Sequence, residues 1–322
     1  MRRRDILLAT PALAAVHTAA AQPGFPSRPV SLVVPFAAGG PNDLVARLVQ
    51  PILQAQLGQP VVVENRPGAT GAIGARHVAA QPPDGHTMLV AASGTLTVNP
   101  VVNTRIGYDP ERDFAAICMA MTVPNMLVVH RDVPARTVEE VIAWLRREDG
   151  RAAYSSGGIG STEHLGTELF LLRTGTRATH VPFPGGAPAT TAMIQGTVQA
   201  SILNAATVKP HVDSGALRAI AITATQRFAG LPEVPTMVEA GYPEVISASW
   251  SCFVAPANTP APIVQRLNAL LVAALRTPDV TARLTGAGFT VDALSPEETA
   301  RVIAADLARW RAVVREARIE VN

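Results

Sequence analysis

Lysine is almost missing from this chain: of 27 basic residues only Lys209 is a lysine, and Pro210 follows it. A phosphate-binding P-loop needs Gly-Lys-Ser/Thr, so that nucleotide chemistry is excluded, and Schiff-base chemistry would rest on Lys209 alone. Aromatic residues make up 4%, too few for the stacking platforms of a single-strand nucleic-acid binder. Cys118 and Cys252 are too few for a disulfide scaffold. They either pair in an oxidising compartment or sit as two inert buried thiols, and the second reading is favoured. The histidines are scattered, with no His-Glu-x-x-His and no Cys-x-x-Cys, so no metal or cofactor is expected. There is no Gly-x-Ser-x-Gly nucleophile elbow. Gly158-Ile159-Gly160 begins like a dinucleotide fingerprint, but its sixth position is Glu163.

What is present is a chain of 322 residues, 48% hydrophobic and 16% charged. That is enough for a sizeable core and suits two domains of ordinary size. Arg2, Arg3 and Arg4 precede an apolar run, Ile6 to Val16, and Ala19-Ala20-Ala21 follows. This is the pattern of a signal peptide, residues 1–21, and a periplasmic protein is expected. Arg3-Arg4 also permits twin-arginine export. Removing the segment takes away three arginines and Asp5, and the formal charge of +2 falls to zero. Nucleic acid is then not an expected partner. No later stretch has the 18 uninterrupted apolar residues of a membrane span.

Short β-branched runs alternate with Ala/Leu-rich helical patterns, which predicts an α/β fold with a largely parallel sheet. Strands are expected at 30–34, 61–65, 86–92, 152–155, 179–183, 198–203 and 217–223, and helices at 42–56, 69–80, 163–173 and 187–195. Phe114 to His130 and Trp250 to Ala255 are isolated extended segments. Two amphipathic helices, 262–276 and 296–315, flank Gly286-Ala287-Gly288 and a short strand at 289–292. Two separate crossings imply two lobes: residues 22–124 and 247–322 form lobe one, and residues 125–246 form lobe two.

Three Gly-Gly doublets each follow an expected strand and open an expected helix: Gly39-Gly40, Gly157-Gly158 and Gly185-Gly186. Glycine there permits close backbone approach, and a helix start offers free N–H groups and a positive dipole end. In open α/β sheets ligands bind beyond the carboxyl ends of the strands. The three cradles are therefore expected to close on one acidic ligand, with Ser93-Gly94-Thr95 and Asn204 joining them. For single residues two readings stand. Asn204 either binds ligand or caps a helix; His164 contacts ligand or is a capping histidine; Asp43 orients the first cradle or complements the helix dipole.

The stretch Val33-Val34-Pro35-Phe36-Ala37-Ala38-Gly39-Gly40-Pro41-Asn42-Asp43 resembles the tripartite tricarboxylate transporter substrate-binding proteins, or Bug receptors. So do Val63-Glu64-Asn65-Arg66-Pro67-Gly68-Ala69, Tyr108-Asp109-Pro110, Gly158-Ile159-Gly160-Ser161-Thr162-Glu163-His164-Leu165 and Leu231-Pro232-Glu233-Val234-Pro235-Thr236. The resemblance implies a type II periplasmic-binding-protein fold with a small carboxylated ligand between the lobes. It also implies delivery to membrane permease subunits, no catalysis and a monomeric receptor. By position it implicates Phe36, Ala37, Ala38, Gly39, Gly40, Asp43, Ser93, Gly94, Ser161, His164, Gly185, Gly186, Ala187 and Asn204. Many relatives carry an Asp where this chain has Leu203, which makes an amino-acid ligand less expected. An exported hydrolase or lyase using Ser161 or His164, and a sensor that signals to a kinase, are the alternative readings.

Overall fold

The computed structural model describes residues 24–317; the expected signal peptide lies outside the described residues. The first elements follow the alternation closely: β1 (Val30–Val34), α1 (Pro41–Leu57), β2 (Val61–Asn65), α2 (Ala72–Ala79) and β3 (Thr87–Ala92). After a short α3 (Asn99–Val102), Phe114 to His130 forms one 17-residue strand, β4. Next come α4 (Val138–Glu148), β5 (Ala153–Ser156), α5 (Thr162–Thr174), β6 (Thr179–Pro182), α6 (Gly186–Ile194), β7 (Ala200–Asn204), α7 (Ala205–Asp213) and β8 (Leu217–Ile222). The chain returns through β9 (Ala248–Pro256) to α8 (Ala261–Leu275), α9 (Pro278–Gly286), β10 (Thr290–Val291) and α10 (Pro296–Ala317).

The long strand β4 organises both lobes. From Phe114 to Pro124 it pairs antiparallel with β9; from Asn125 to His130 it pairs antiparallel with β7 and β8. The first lobe's order is β2-β1-β3-β9-β4-β10. Among the strand pairs of the described residues, only β1–β2, β1–β3 and β5–β6 are parallel, with one further parallel bridge between Ile222 and Thr236. The sheet is thus mixed rather than largely parallel, because both crossing segments run against their neighbours. β5 is stitched to β7 by side chains: Ser155 N donates to Ser201 Oγ at 2.8 Å, and Ala153 N to Gln199 Oε1 at 3.0 Å.

Strand alternation sorts the core. Val30, Leu32 and Val34 face α1 and α8, while Val33 faces α2. Cys118 and Cys252 obey the same rule: Cys118 pairs in register with Phe253 on one face, and Cys252 with Met119 on the other. Both thiols are buried and free, and burial pushes Cys118 up to about 12. Helix α10 reaches across the lobes, packing Trp310, Val313 and Val314 against Val98, Val102, Leu165 and Leu169. Among the described residues no helix is long and apolar enough to cross a membrane.

Candidate functional site

The loop after β1 is built around Asp43. Gly39, at φ +87°, donates its N–H to Asp43 Oδ2 at 2.9 Å. Arg47 Nε donates to the same oxygen at 2.8 Å, and Asn65 Nδ2 donates to Asp43 Oδ1 at 2.9 Å and to the Phe36 carbonyl at 3.1 Å. Burial works to raise the Asp43 pKa, but Arg47, the Gly39 N–H and Asn65 outweigh it and hold the carboxyl at about 2. Asp43 is therefore a spent acceptor that fixes the loop. Ala37, Ala38 and Gly39 are exposed, and Phe36 packs partly against the core. Helix α1 begins at Pro41 with no side-chain cap; Leu44 N already donates to the Gly40 carbonyl at 2.9 Å, so the amides without an intrahelical partner are those of Asn42 and Asp43. Gly39, Gly40, Asp43 and Arg47 line a groove of about 480 Å³ that faces Ala206 and Thr207 of α7.

Ser93 and Gly94 are both buried where β3 runs into a π-helical turn, Gly94–Val98. Such turns concentrate at functional sites. The Trp250 amide donates to Ser93 Oγ at 3.4 Å. From behind, Asp306 of α10 accepts from Thr97 Oγ1 at 2.8 Å and from Trp250 Nε1 at 3.3 Å, and Arg309 pairs with its other oxygen. Asp306 is missed by the sequence reading. An acid on an amphipathic helix reads as solvated, yet here it is 9% exposed.

In the second lobe the doublet Gly157-Gly158 does not open a helix, contrary to expectation. Helix α5 starts at Thr162, with Ser161 Oγ capping the His164 N–H at 3.2 Å. The Gly157 N–H goes to Glu163 Oε2 at 2.9 Å, and the Gly158 N–H to Ser156 Oγ at 3.2 Å. Burial pushes the Glu163 carboxyl up, against the Gly157 N–H and the Ser161 hydroxyl. His164 is 6% exposed. Its ring stacks on His180 at 4.1 Å, and His180 on Tyr154 at 4.7 Å. Burial first, then His180, lowers His164 to about 3, and burial lowers His180 to about 4, so both rings are neutral near pH 7. Gly185, at φ +125°, precedes α6, which has no side-chain cap; Ala187 is exposed in its first turn. Asn204 Oδ1 caps α7, accepting from Ala206 N at 3.1 Å and Thr207 N at 3.4 Å.

Several of these loops meet. A Cβ on Gly94 would lie 3.4 Å from the Gly160 carbonyl, and one on Gly157 3.3 Å from the Gly186 amide. Asn204 joins Pro41, Asn42, Ala92 and Trp250 around a small cavity of about 70 Å³. Thr70 is a contact the sequence reading missed: its hydroxyl donates to the Ile159 carbonyl at 3.2 Å. It sits in a left-handed turn whose φ values run 126°, 49°, 52° and 88° from Gly68 to Gly71. The bracketing glycines were the available signal.

Comparison with known proteins agrees with this architecture. A family model described as "Tripartite tricarboxylate transporter family receptor" matches residues 45–319. Protein BugT of Bordetella pertussis is 37% identical over 97% of this chain and 95% of its own. An R. palustris protein solved with adipate is 38% identical, with a TM-score of 0.82, covering 91% of this chain and 98% of that one. MatC from Rhodopseudomonas palustris, with bound malate, is 34% identical with a TM-score of 0.81, covering 90% and 100% respectively.

Proposed function

This chain belongs to the tripartite tricarboxylate transporter receptor family, and from that premise we propose that it is an exported, non-catalytic periplasmic receptor. It captures a small carboxylated metabolite between its lobes and hands it to the membrane permease subunits. The lobes are residues 22–124 with 247–322, and residues 125–246; export removes the segment up to about Ala21. The observation that carries the reading is the start of α1. Its helix dipole and the Asn42 and Asp43 amides are left without a side-chain cap. The loop in front of it is fixed by Asp43, and the groove beside it opens toward α7. A fixed N-terminus of this kind holds a carboxylate through charge-assisted hydrogen bonds, each worth about 1.5–3 kcal/mol. Phe36 to Gly40, with Ser93 and Gly94, supply the first-lobe contacts; Ser161, His164, Gly185 to Ala187 and Asn204 bound the cleft opposite. The capture of adipate and malate by similar proteins supports the ligand class.

A thermal-shift screen of mono-, di- and tricarboxylates on the mature protein tests this, since a ligand that binds only the folded state raises the apparent Tm by mass action. At least one carboxylate should raise Tm in a concentration-dependent way. A flat response across the panel would defeat the reading.

A further inference from the structure

Helix α5 is held from two sides. Toward its own lobe, Phe170 and Leu171 pack with Tyr154, Ala200 and Ile202, and Thr167 Oγ1 accepts from the Ile202 amide at 3.1 Å. Toward the first lobe it is bound along its whole length. Thr162 Oγ1 shares a hydrogen bond with Ser249 Oγ at 2.7 Å, and Ser247 Oγ donates to the Thr162 carbonyl at 2.9 Å. A Cβ on Gly166 would lie 2.6 Å from Ser247 Oγ, so this turn of α5 rests on the chain entering β9. Leu165 and Leu169, one helical turn apart, are buried against Trp310 and Val313 of α10. At the far end Arg173 pairs with Glu316 at 2.8 Å. Parting this seam would return a set of large apolar side chains to water.

The opposite face of the sheet is built differently. Leu127 and Val129 of β4 belong to the core that holds Phe170 of α5, and Met126 and Val128 to the one that holds Val208 of α7. On the α7 face the lobes look at each other across a groove of about 1110 Å³, which adjoins the groove in front of α1. Lys209, Asp213 and Phe228 line one wall, and Thr285, Phe289 and Thr290 the other. The walls touch at Ala206 and Gly288. Among the described residues no hydrogen bond or ion pair joins α7 to α9 or β10.

We propose that the α5–α10 seam is the fixed edge about which the second lobe turns, and that ligand enters and leaves on the opposite face, through the groove between α7 and the α9–β10 turn. The turning follows from the contacts alone; what passes through the groove rests on the receptor reading above. Ser161, at the start of α5, lies beside the seam and shifts least, whereas Asn204, at the start of α7, arrives as the groove closes. The uncapped start of α1 borders the same groove, so an incoming carboxylate meets it before the second lobe swings over.

Two double variants of the mature chain test it by spin-label distance measurements: Arg173→Cys with Glu316→Cys across the seam, and Asp213→Cys with Thr285→Cys across the groove. All four positions are exposed, and Cys118 and Cys252 are buried away from the label. Without ligand, the seam pair should give one narrow distance and the groove pair a broader distribution. Malate or adipate should narrow and shorten the groove distribution and leave the seam distance where it was. Bridging each cysteine pair with a short bis-maleimide reads the route: across the groove it should slow uptake of the same probe tenfold or more, across the seam it should not. A seam as broad as the groove, a seam that shifts as far with the probe, a groove as narrow as the seam throughout, or uptake lost only on bridging the seam overturns the proposal. A broad groove and a narrow seam that neither probe alters support the pivot and count against the receptor reading.

Discussion

Nothing inside the protein requires glycine at Gly40 or Gly186, and on the reading proposed above both face the ligand. Gly40 has φ −81°, and a Cβ there would meet only the Ala37 carbonyl at 3.7 Å; at Gly186 the nearest atom is Glu163 Oε1 at 3.5 Å. Neither position demands glycine for backbone reasons. Gly40→Val and Gly186→Val should therefore fold normally, and calorimetry should record an affinity loss of tenfold or more, about 1.4 kcal/mol. Unchanged affinity in both would remove backbone approach from the recognition chemistry. Arg47 behaves differently. It reaches Asp43 rather than leaving its guanidinium free, so Arg47→Gln should cost stability more than affinity. Asp43 itself links stability to pH. Its folded pKa of about 2 lies below the ordinary value of 3.8, so its contribution is complete above pH 4 and is lost as pH falls toward 2. On the order of 2 kcal/mol is at stake. Urea titrations from pH 7 to 2.5 should show a shallower acid limb in Asp43→Asn than in wild type. Little of this was legible beforehand. An acid in a first helical turn reads as a dipole effect, and its partner Asn65 is 22 residues away in the next strand, where no spacing rule reaches.

Among the elements, helix starts divide into two kinds. α5 and α7 are capped by Ser161 and Asn204, while α1 and α6 are bare. A side-chain oxygen that caps a helix has one lone pair fewer for a ligand, although a serine hydroxyl can still donate its O–H. Ser161→Ala should lower stability by about 1 kcal/mol in chemical denaturation, with Ser161→Thr recovering most of it. A large affinity loss at unchanged stability would mean that the hydroxyl serves the ligand instead. The sequence reading was strongest for β1 and β2, whose boundaries it matches to the residue, because β-branched runs closed by turn residues are local signals. It passed over α4, although Val138, Val141, Ile142 and Leu145 form an apolar stripe, and α9, which buries only Val280 and Leu284. It has the parallel pairing of β1 with β2 and β3 but not the direction of the crossing strands β4 and β9. Composition is the same in both directions, and the antiparallel pairing of β4 with β9 joins residues more than a hundred positions apart.

At the scale of the whole molecule, the lobes touch through Thr70 and Ile159 on one flank. On another, Gly288 meets Ala206 so closely that an added Cβ would lie 2.9 Å from the Ala206 Cβ. A ligand that contacts both lobes favours the state in which such contacts form. Small-angle scattering of the mature protein should show a smaller radius of gyration on saturation with a carboxylate that raises Tm. An equal radius with and without it would speak against ligand-driven closure. Helix α10 has a further consequence, set by the order of synthesis. Asp306 holds the Ser93 turn, and Trp310 seals α3 to α5, yet every residue these two brace is translated before they are. A growing chain can assemble most of its strands and still lack the brace that completes the Ser93 turn. The Ser93 turn therefore acquires its final form late. A nascent polypeptide halted short of residue 296 would leave the Ser93 loop unbraced, however well the rest of it had folded.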